Sequence, residues 1–261
     1  MTAATLDVVS IVSAEYGPEI LPLDAPVVGC GELVGGLGSR PTATFPLRRG
    51  RAIDTRWLRD FLGAPAEFFG LPLPPAAQFD DAVQSFAAAA FDRTGAELVT
   101  ARMTLIDTGQ LLVTGAPTAA FSGQPVEIGR LDPQYRWHLD SHWLAMAART
   151  TSGGGVDHQL RNLQQQGCVD GIIPGPTVEA PLAGALVLDT GATTVGIDAV
   201  MIDQLHDCGV LRALPRTAAV PHAELQRAWW ISPQFTTHPV AALAGRLLPV
   251  ESQCPSFLEL V

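Results

Sequence analysis

The chain contains no lysine: all 16 side chains counted as lysine plus arginine are arginines. Any reaction that needs a lysine amine is thereby excluded, whether an imine to a carbonyl compound or the phosphate contact of a Gly-Lys-Ser/Thr loop. A Gly-x-Ser-x-Gly elbow and a dinucleotide-binding glycine fingerprint are also missing. No apolar run approaches the roughly 18 residues of a membrane span, and Met1–Ser10 has no basic stretch leading into an apolar one. The four cysteines, Cys30, Cys168, Cys208 and Cys254, lie far apart and form neither a zinc-ligand spacing nor a disulfide framework. Arginines cluster only at Arg48, Arg49 and Arg51, and the formal net charge is -10, which disfavours nucleic acid and anionic membranes as partners. These absences point to a cytoplasmic protein.

What is present describes a packed globular chain. Of 261 residues, 47% are apolar and 16% charged, a balance that supplies a core and rules out wholesale disorder. The 25 glycines and 21 prolines imply frequent turns and short elements. In the first half, Ala76–Gly95 places Phe79, Val83, Phe86 and Ala90 at helical spacing and ends on a glycine suited to a C-terminal cap. Thr55–Phe69 reads as a second helix interrupted at Pro65, and Gly95–Pro117 as two strands around a turn at Asp107, Thr108 and Gly109. In the second half, helices are expected from Val156 to Gly167 and over Asp198–Val210, with strands at Val178–Asp189, through Trp229-Trp230, and over His238–Val250. The fold class is therefore α/β: a small α+β domain over 1–122, a polar linker over 123–130, and a larger α/β domain over 131–261.

Taken in order and spacing, Arg51–Val240 resembles the class IV aminotransferases (fold type IV of the pyridoxal-phosphate enzymes). Arg51–Pro75 is similar to the family's helix of His-Leu-x-Arg-Leu type with its Leu-Gly-Leu-Pro-like turn. Arg149–Ile172 is similar to its Lys-Thr segment with the following helix and strand, and Val178–Leu188 to its Val-x-Glu strand. Val195–Leu205 resembles the Pro-Gly-Ile-Thr-Arg phosphate turn and its helix. The resemblance implies a two-domain α/β protein, usually a homodimer, with pyridoxal phosphate (PLP) on a lysine.

Residue by residue, the resemblance puts the imine lysine at Arg149. A guanidinium stays protonated and can neither form an imine nor shuttle a proton. The carboxylate facing the pyridine nitrogen falls on Glu179, and the family's later asparagine on Gly184. The phosphate turn keeps Gly196 and Ile197, but its threonine becomes Asp198, a carboxylate where the helix N-terminus would attract phosphate. The late phosphate-binding threonine falls near Pro233, and the early arginine falls near Trp57, with Arg56 and Arg59 alongside.

These substitutions lead to an expected cofactor content of none and to a PLP-independent enzyme of lyase, isomerase or cyclase type. Its substrate would be a small carboxylated metabolite. A non-catalytic binding or partner subunit and an enzyme holding PLP non-covalently are the alternatives. Arg149 would hold the substrate carboxylate, or else pair with Glu179. Glu179, His138 or His142 would move the proton, and Thr236, Thr237, His238, Gly196 and Ile197 would contact the ligand. His138 and His142 have the i, i+4 spacing of zinc ligands, but Leu139 stands where metalloproteases carry a glutamate, so no metal is expected.

Overall fold

The computed structural model describes residues 8–12, 18–22, 40–106, 109–133, 141–151 and 153–260. They divide into two compact units: residues up to Thr118 together with His142–Gly154, and Ala119–Ser141 together with Gly155 onward. The segment His142–Gly154 thus clusters with the first unit, although it follows the interdomain break read from the sequence.

The first unit is built on a five-stranded antiparallel sheet in the order β2-β1-β5-β4-β3. Its strands are β1 (Val8–Val12), β2 (Glu19–Pro22), β3 (Thr42–Arg48), β4 (Leu98–Leu105) and β5 (Leu111–Pro117). Two helices, α1 (Arg56–Phe68) and α2 (Ala76–Thr94), supply the other half of the core. The periodic residues of α2, Phe79, Val83, Phe86 and Ala90, are all buried, and Gly95 caps the helix at φ 65°, its N–H donating to the Phe91 carbonyl. Burying each large apolar side chain contributes roughly 1.5–3 kcal/mol. Pro65 does not interrupt α1. Its ring removes one backbone donor near the end of the helix, while Leu58, Leu62, Pro65 and Ala66 bury a continuous stripe. A short helix, α3 (His142–Ala147), packs against α1.

The second unit carries an eight-stranded sheet in the order β11-β10-β9-β13-β14-β6-β7, with β15 paired to β14. Its strands are β6 (Val126–Arg130), β7 (Asp170–Ile172), β9 (Ala185–Asp189), β10 (Thr194–Ile197), β11 (Arg216–Thr217), β13 (Arg227–Ile231), β14 (Thr237–Leu243) and β15 (Arg246–Leu247). A separate ribbon pairs β8 (Thr177–Val178) with β12 (Val220–Pro221). Residues 123–130, read from sequence as a linker, instead contain β6, which lies parallel between β14 and β7. Gly123 and Pro125 mark the turn before it, and Val126 and Ile128 form its apolar face. The helices of this unit are α4 (Gly154–Gln165) and α5 (Val200–Asp207). Leu163 of α4 seats in a notch made by Gly129 and Gly171, opposite each other on β6 and β7; a Cβ on either would lie 2.7–2.8 Å from its methyls.

Candidate functional site

In the second unit, strand register brings three turns to one end of the sheet. Ala185, the first residue of β9, pairs with Ile231, the last of β13, and Ile231 pairs with Thr237, the first of β14. β10 runs antiparallel to β9 with Gly196 opposite Val187, so it ends where β9 begins. The turns Glu179–Gly184, Asp198–Ala199 and Ser232–Thr236 therefore leave the sheet together.

Asp170 organises the first of them. This carboxylate is completely buried, and its oxygens accept N–H bonds from Gly171 (2.8 Å), Leu182 (3.1 Å), Ala183 (3.2 Å) and Gly184 (2.7 Å). The Trp230 indole donates a further one at 2.9 Å. Burial pushes the carboxyl above the ordinary carboxylate range, and the converging donors pull it back. Gly184 leaves the turn no room for a side chain: a Cβ there would lie 2.1 Å from Trp230 Nε1 and 2.5 Å from the Ile231 carbonyl oxygen. At this position, to which the resemblance assigns the family's asparagine, the space belongs to Trp230. Sequence reasoning missed Asp170; its one local signal is a lone acid between Val169 and the apolar run that follows Gly171.

The second turn opens α5, whose first amides have no side-chain cap. Gly196 and Asp198 spend their N–H groups on the Pro215 and Thr217 carbonyls beside β11. Arg216 spans the turn, donating to the Ala199 carbonyl at 2.8 Å and lying 3.2 Å from Asp203 and 3.9 Å from Asp198. Its Nη1 is buried without a hydrogen-bond partner among the described residues. In the third turn, the amides of Gln234 and Thr236 donate to Ser232 Oγ, and that of Phe235 to the Ser232 carbonyl.

The remaining residues singled out in this unit fall on both faces of its sheet. Thr237 is fully buried, its hydroxyl without a partner among the described residues, on the face that carries Trp229 and Ile231. Ile197 packs in the main core of the unit with Trp230. His238 stands opposite Trp230, ring centroids 5.7 Å apart, with Nδ1 3.3 Å from the Gln124 carbonyl. Desolvation lowers the His238 pKa, and the Gln124 contact opposes it. Thr236 is half-buried, as is Glu179, which directly follows β8.

Arg149 and His142 belong to the first unit. The Arg149 carbonyl accepts the Thr42 N–H at 2.9 Å, and the adjacent Thr150 bridges Pro41, so the segment is stitched to the start of β3. The guanidinium carbon lies 4.6 Å from the Phe61 ring centroid. His142 is exposed on α3, edge-on to Phe68 at 5.3 Å. His138 lies outside the described residues. Among the described residues, no group of three or more His, Cys, Asp or Glu could hold a metal ion. No helix among them is long and apolar enough to cross a membrane.

No family model matches the chain in sequence, and no curated protein does. Solved structures do match. The fold IV transaminase CpuTA1 from Curtobacterium pusillum superposes with a TM-score of 0.69 at 18% identity, covering 94% of each chain. A hypothetical aminotransferase from Mycobacterium tuberculosis in its PLP-bound form gives 0.68 at 20% identity over 93% of each chain. The fold is that of the class IV aminotransferases. The same Mycobacterium tuberculosis protein matches in a form bound to alpha-ketoglutarate and pyridoxamine phosphate (PMP), with a TM-score of 0.64 at 19% identity over 93% of each chain.

These PLP- and PMP-bound neighbours overturn the expectation of no cofactor, because the class IV fold points to PLP. The error has a chemical origin. Absence of lysine removes only the covalent link. PMP carries an amine in place of the aldehyde, so it can be bound by a protein without an imine to a lysine.

Proposed function

We propose that this protein is a class IV aminotransferase-fold enzyme that holds a vitamin B6 phosphate, PLP or PMP, without a covalent bond. Its substrate is a small carboxylated metabolite. The observation carrying this reading is the side chain at position 149: a guanidinium stacked on Phe61 that cannot form an imine, with no carboxylate paired to it among the described residues.

The chain's residues fit such a coenzyme at its ring and phosphate ends. Glu179 offers the carboxylate that the resemblance assigns to the pyridine nitrogen. The uncapped first amides of α5 suit an anion. The orphaned Nη1 of Arg216 beneath that turn is a donor lacking an acceptor, while Asp198 and Asp203 are the opposing charges, each partnered by the same arginine. When bound, the coenzyme supplies an electron sink for carbanionic charge.

Arg149 binds and orients a substrate carboxylate and, being permanently protonated, moves no proton. Proton transfer falls to Glu179 or to an imidazole. His238 is suited to the role of base because desolvation favours its neutral form. Elimination, isomerisation or cyclisation, each driven by one moved proton, is the class of reaction that a carboxylate or a neutral imidazole supports. A cytoplasmic setting suits Cys168, Cys208 and Cys254, which are free thiols.

Equilibrium dialysis of the purified protein against PMP and against PLP tests the reading. Saturable binding of PMP is expected. Failure to retain either compound would remove the coenzyme from the proposal.

A further inference from the structure

Three arginines among the described residues stack on aromatic rings, and their edges differ. Arg49 lies 5.3 Å from the Phe91 centroid, and its N–H groups donate to the Ala96 and Phe91 carbonyls, with Glu97 at 3.4 Å. Arg227 lies 5.6 Å from the Trp229 centroid and pairs with both Asp189 and Glu251. Arg149 makes the closest approach of the three, 4.6 Å from the Phe61 centroid. Among the described residues, no hydrogen bond or ion pair fills its edge. A guanidinium has one pair of faces for stacking and an in-plane fork of donors for carboxylates. In Arg49 and Arg227 both functions are used; in Arg149 only the face is.

The stack is anchored to the core. Phe61 meets Trp57 edge-on at 6.4 Å, one turn earlier on α1, and Trp57 meets Phe45 of β3 edge-on at 6.1 Å. Phe45 is fully buried. The backbone of Arg149 is held on β3 through Thr42, and the next two residues through Pro41 and Arg40. Both ends of the flexible arginine side chain are therefore constrained, its Cα by strand pairing and its guanidinium by a ring itself packed on rings.

We infer that Phe61 is a positioning residue: by stacking on Arg149 it presents a preorganised, in-plane donor fork for one planar carboxylate of the ligand. The inference rests on the proposal that Arg149 takes the substrate carboxylate, and it adds which residue makes that cation specific. Fixing the fork before binding removes the ordering cost that a free arginine would incur on capturing the ligand. A two-point, coplanar grip also favours a carboxylate over a monodentate anion.

Calorimetric titration of 2-oxoglutarate into the 261-residue chain and its variants separates the two claims. The wild type should bind saturably, and Arg149→Ala should abolish binding. Phe61→Leu, which keeps the site apolar without a ring, should weaken binding on the order of tenfold, the worth of a cation–π contact. Phe61→Tyr, which restores the ring, should bind within about twofold of the wild type, a rescue that a merely structural role of Phe61 would not produce. In parallel, phenylglyoxal modification of the wild type, followed by peptide mass spectrometry, should show 2-oxoglutarate protecting Arg149 but not Arg49 or Arg227. That measurement holds even where Phe61→Leu does not fold. Weakening by Arg149→Ala with no effect of Phe61→Leu overturns the positioning role alone. Binding unaffected by Arg149→Ala, or no saturable binding to the wild type, overturns the carboxylate reading and the inference with it.

Discussion

Replacing Asp170 by asparagine would turn an acceptor into a donor at a buried carboxylate that accepts six hydrogen bonds. Oδ1 receives the Gly171, Leu182 and Ala183 amides, and Oδ2 receives Gly184 at 2.7 Å, Trp230 Nε1 at 2.9 Å and Ala183 again at 3.2 Å. In the asparagine variant the NH2 group faces donors wherever it is turned. Oriented to spare Oδ1, it leaves Gly184 and the indole without acceptors. Each buried unsatisfied donor costs about 1–3 kcal/mol, so the expected loss is ~4 kcal/mol. Leu182 is buffered by its second acceptor, the Gly171 carbonyl at 2.9 Å. Asp170→Ala should cost at least as much, since it removes both oxygens. Urea unfolding followed by tryptophan fluorescence reads the effect directly, because Trp230 is itself a partner. A fall in midpoint at unchanged slope is expected, together with weaker PMP retention as the Glu179–Gly184 turn loosens. If Asp170→Asn cost under about 1 kcal/mol, the idea that this buried carboxylate shapes the turn would be wrong.

Gly184→Ala should destabilise by ~3 kcal/mol, because the added methyl meets Trp230 Nε1 and the Ile231 carbonyl, neither of which is a free side-chain end; a melting temperature equal to that of the wild type would contradict the packing described. His238 and His222 both have pKa values lowered below 6.5 by desolvation. Their unfolded forms therefore bind more protons as pH falls, and stability present above pH 6.5 should be lost as the pH drops through the folded pKa values. His238→Gln should flatten part of that slope in pH-dependent urea melts, and an unchanged slope would remove His238 from the account. Light scattering should give a mass of twice the 27.6 kDa chain, as the resemblance implies; a monomer at working concentration would defeat that expectation.

Local pattern made much of the architecture legible. The stripe of Phe79, Val83, Phe86 and Ala90 with Gly95 defined α2, and the turn around Gly109 defined the β4–β5 hairpin. The adjacent Trp229 and Trp230 were readable as residues on opposite faces of a strand: one meets Phe257, the other Asp170. What escaped was long-range. Asp170 takes one donor from the adjacent Gly171, but its others lie 12–14 residues downstream and on an indole 60 residues away, so the chain around it shows only a lone acid and not the nest. β6 hid behind Gly123 and Pro125, since a five-residue strand paired in parallel on both sides needs no adjacent hairpin to mark it. The Arg149–Phe61 stack joins residues from two distant segments that only the packing of α1 and β3 brings together. The step from a missing lysine to a missing cofactor went beyond the chemistry, because a covalent link is one of several contacts that hold such a coenzyme.

The central claim is that position 149 has given up the imine while the coenzyme is held by other contacts. Borohydride reduction of the PLP-incubated protein, followed by peptide mapping, tests it in wild type and in Arg149→Lys side by side. Wild-type protein should bind PLP yet carry no phosphopyridoxyl group on any internal peptide, whereas the variant should gain one such group at position 149. A covalent internal adduct in the wild type, or a variant that binds PLP but is never labelled at position 149, would contradict the account.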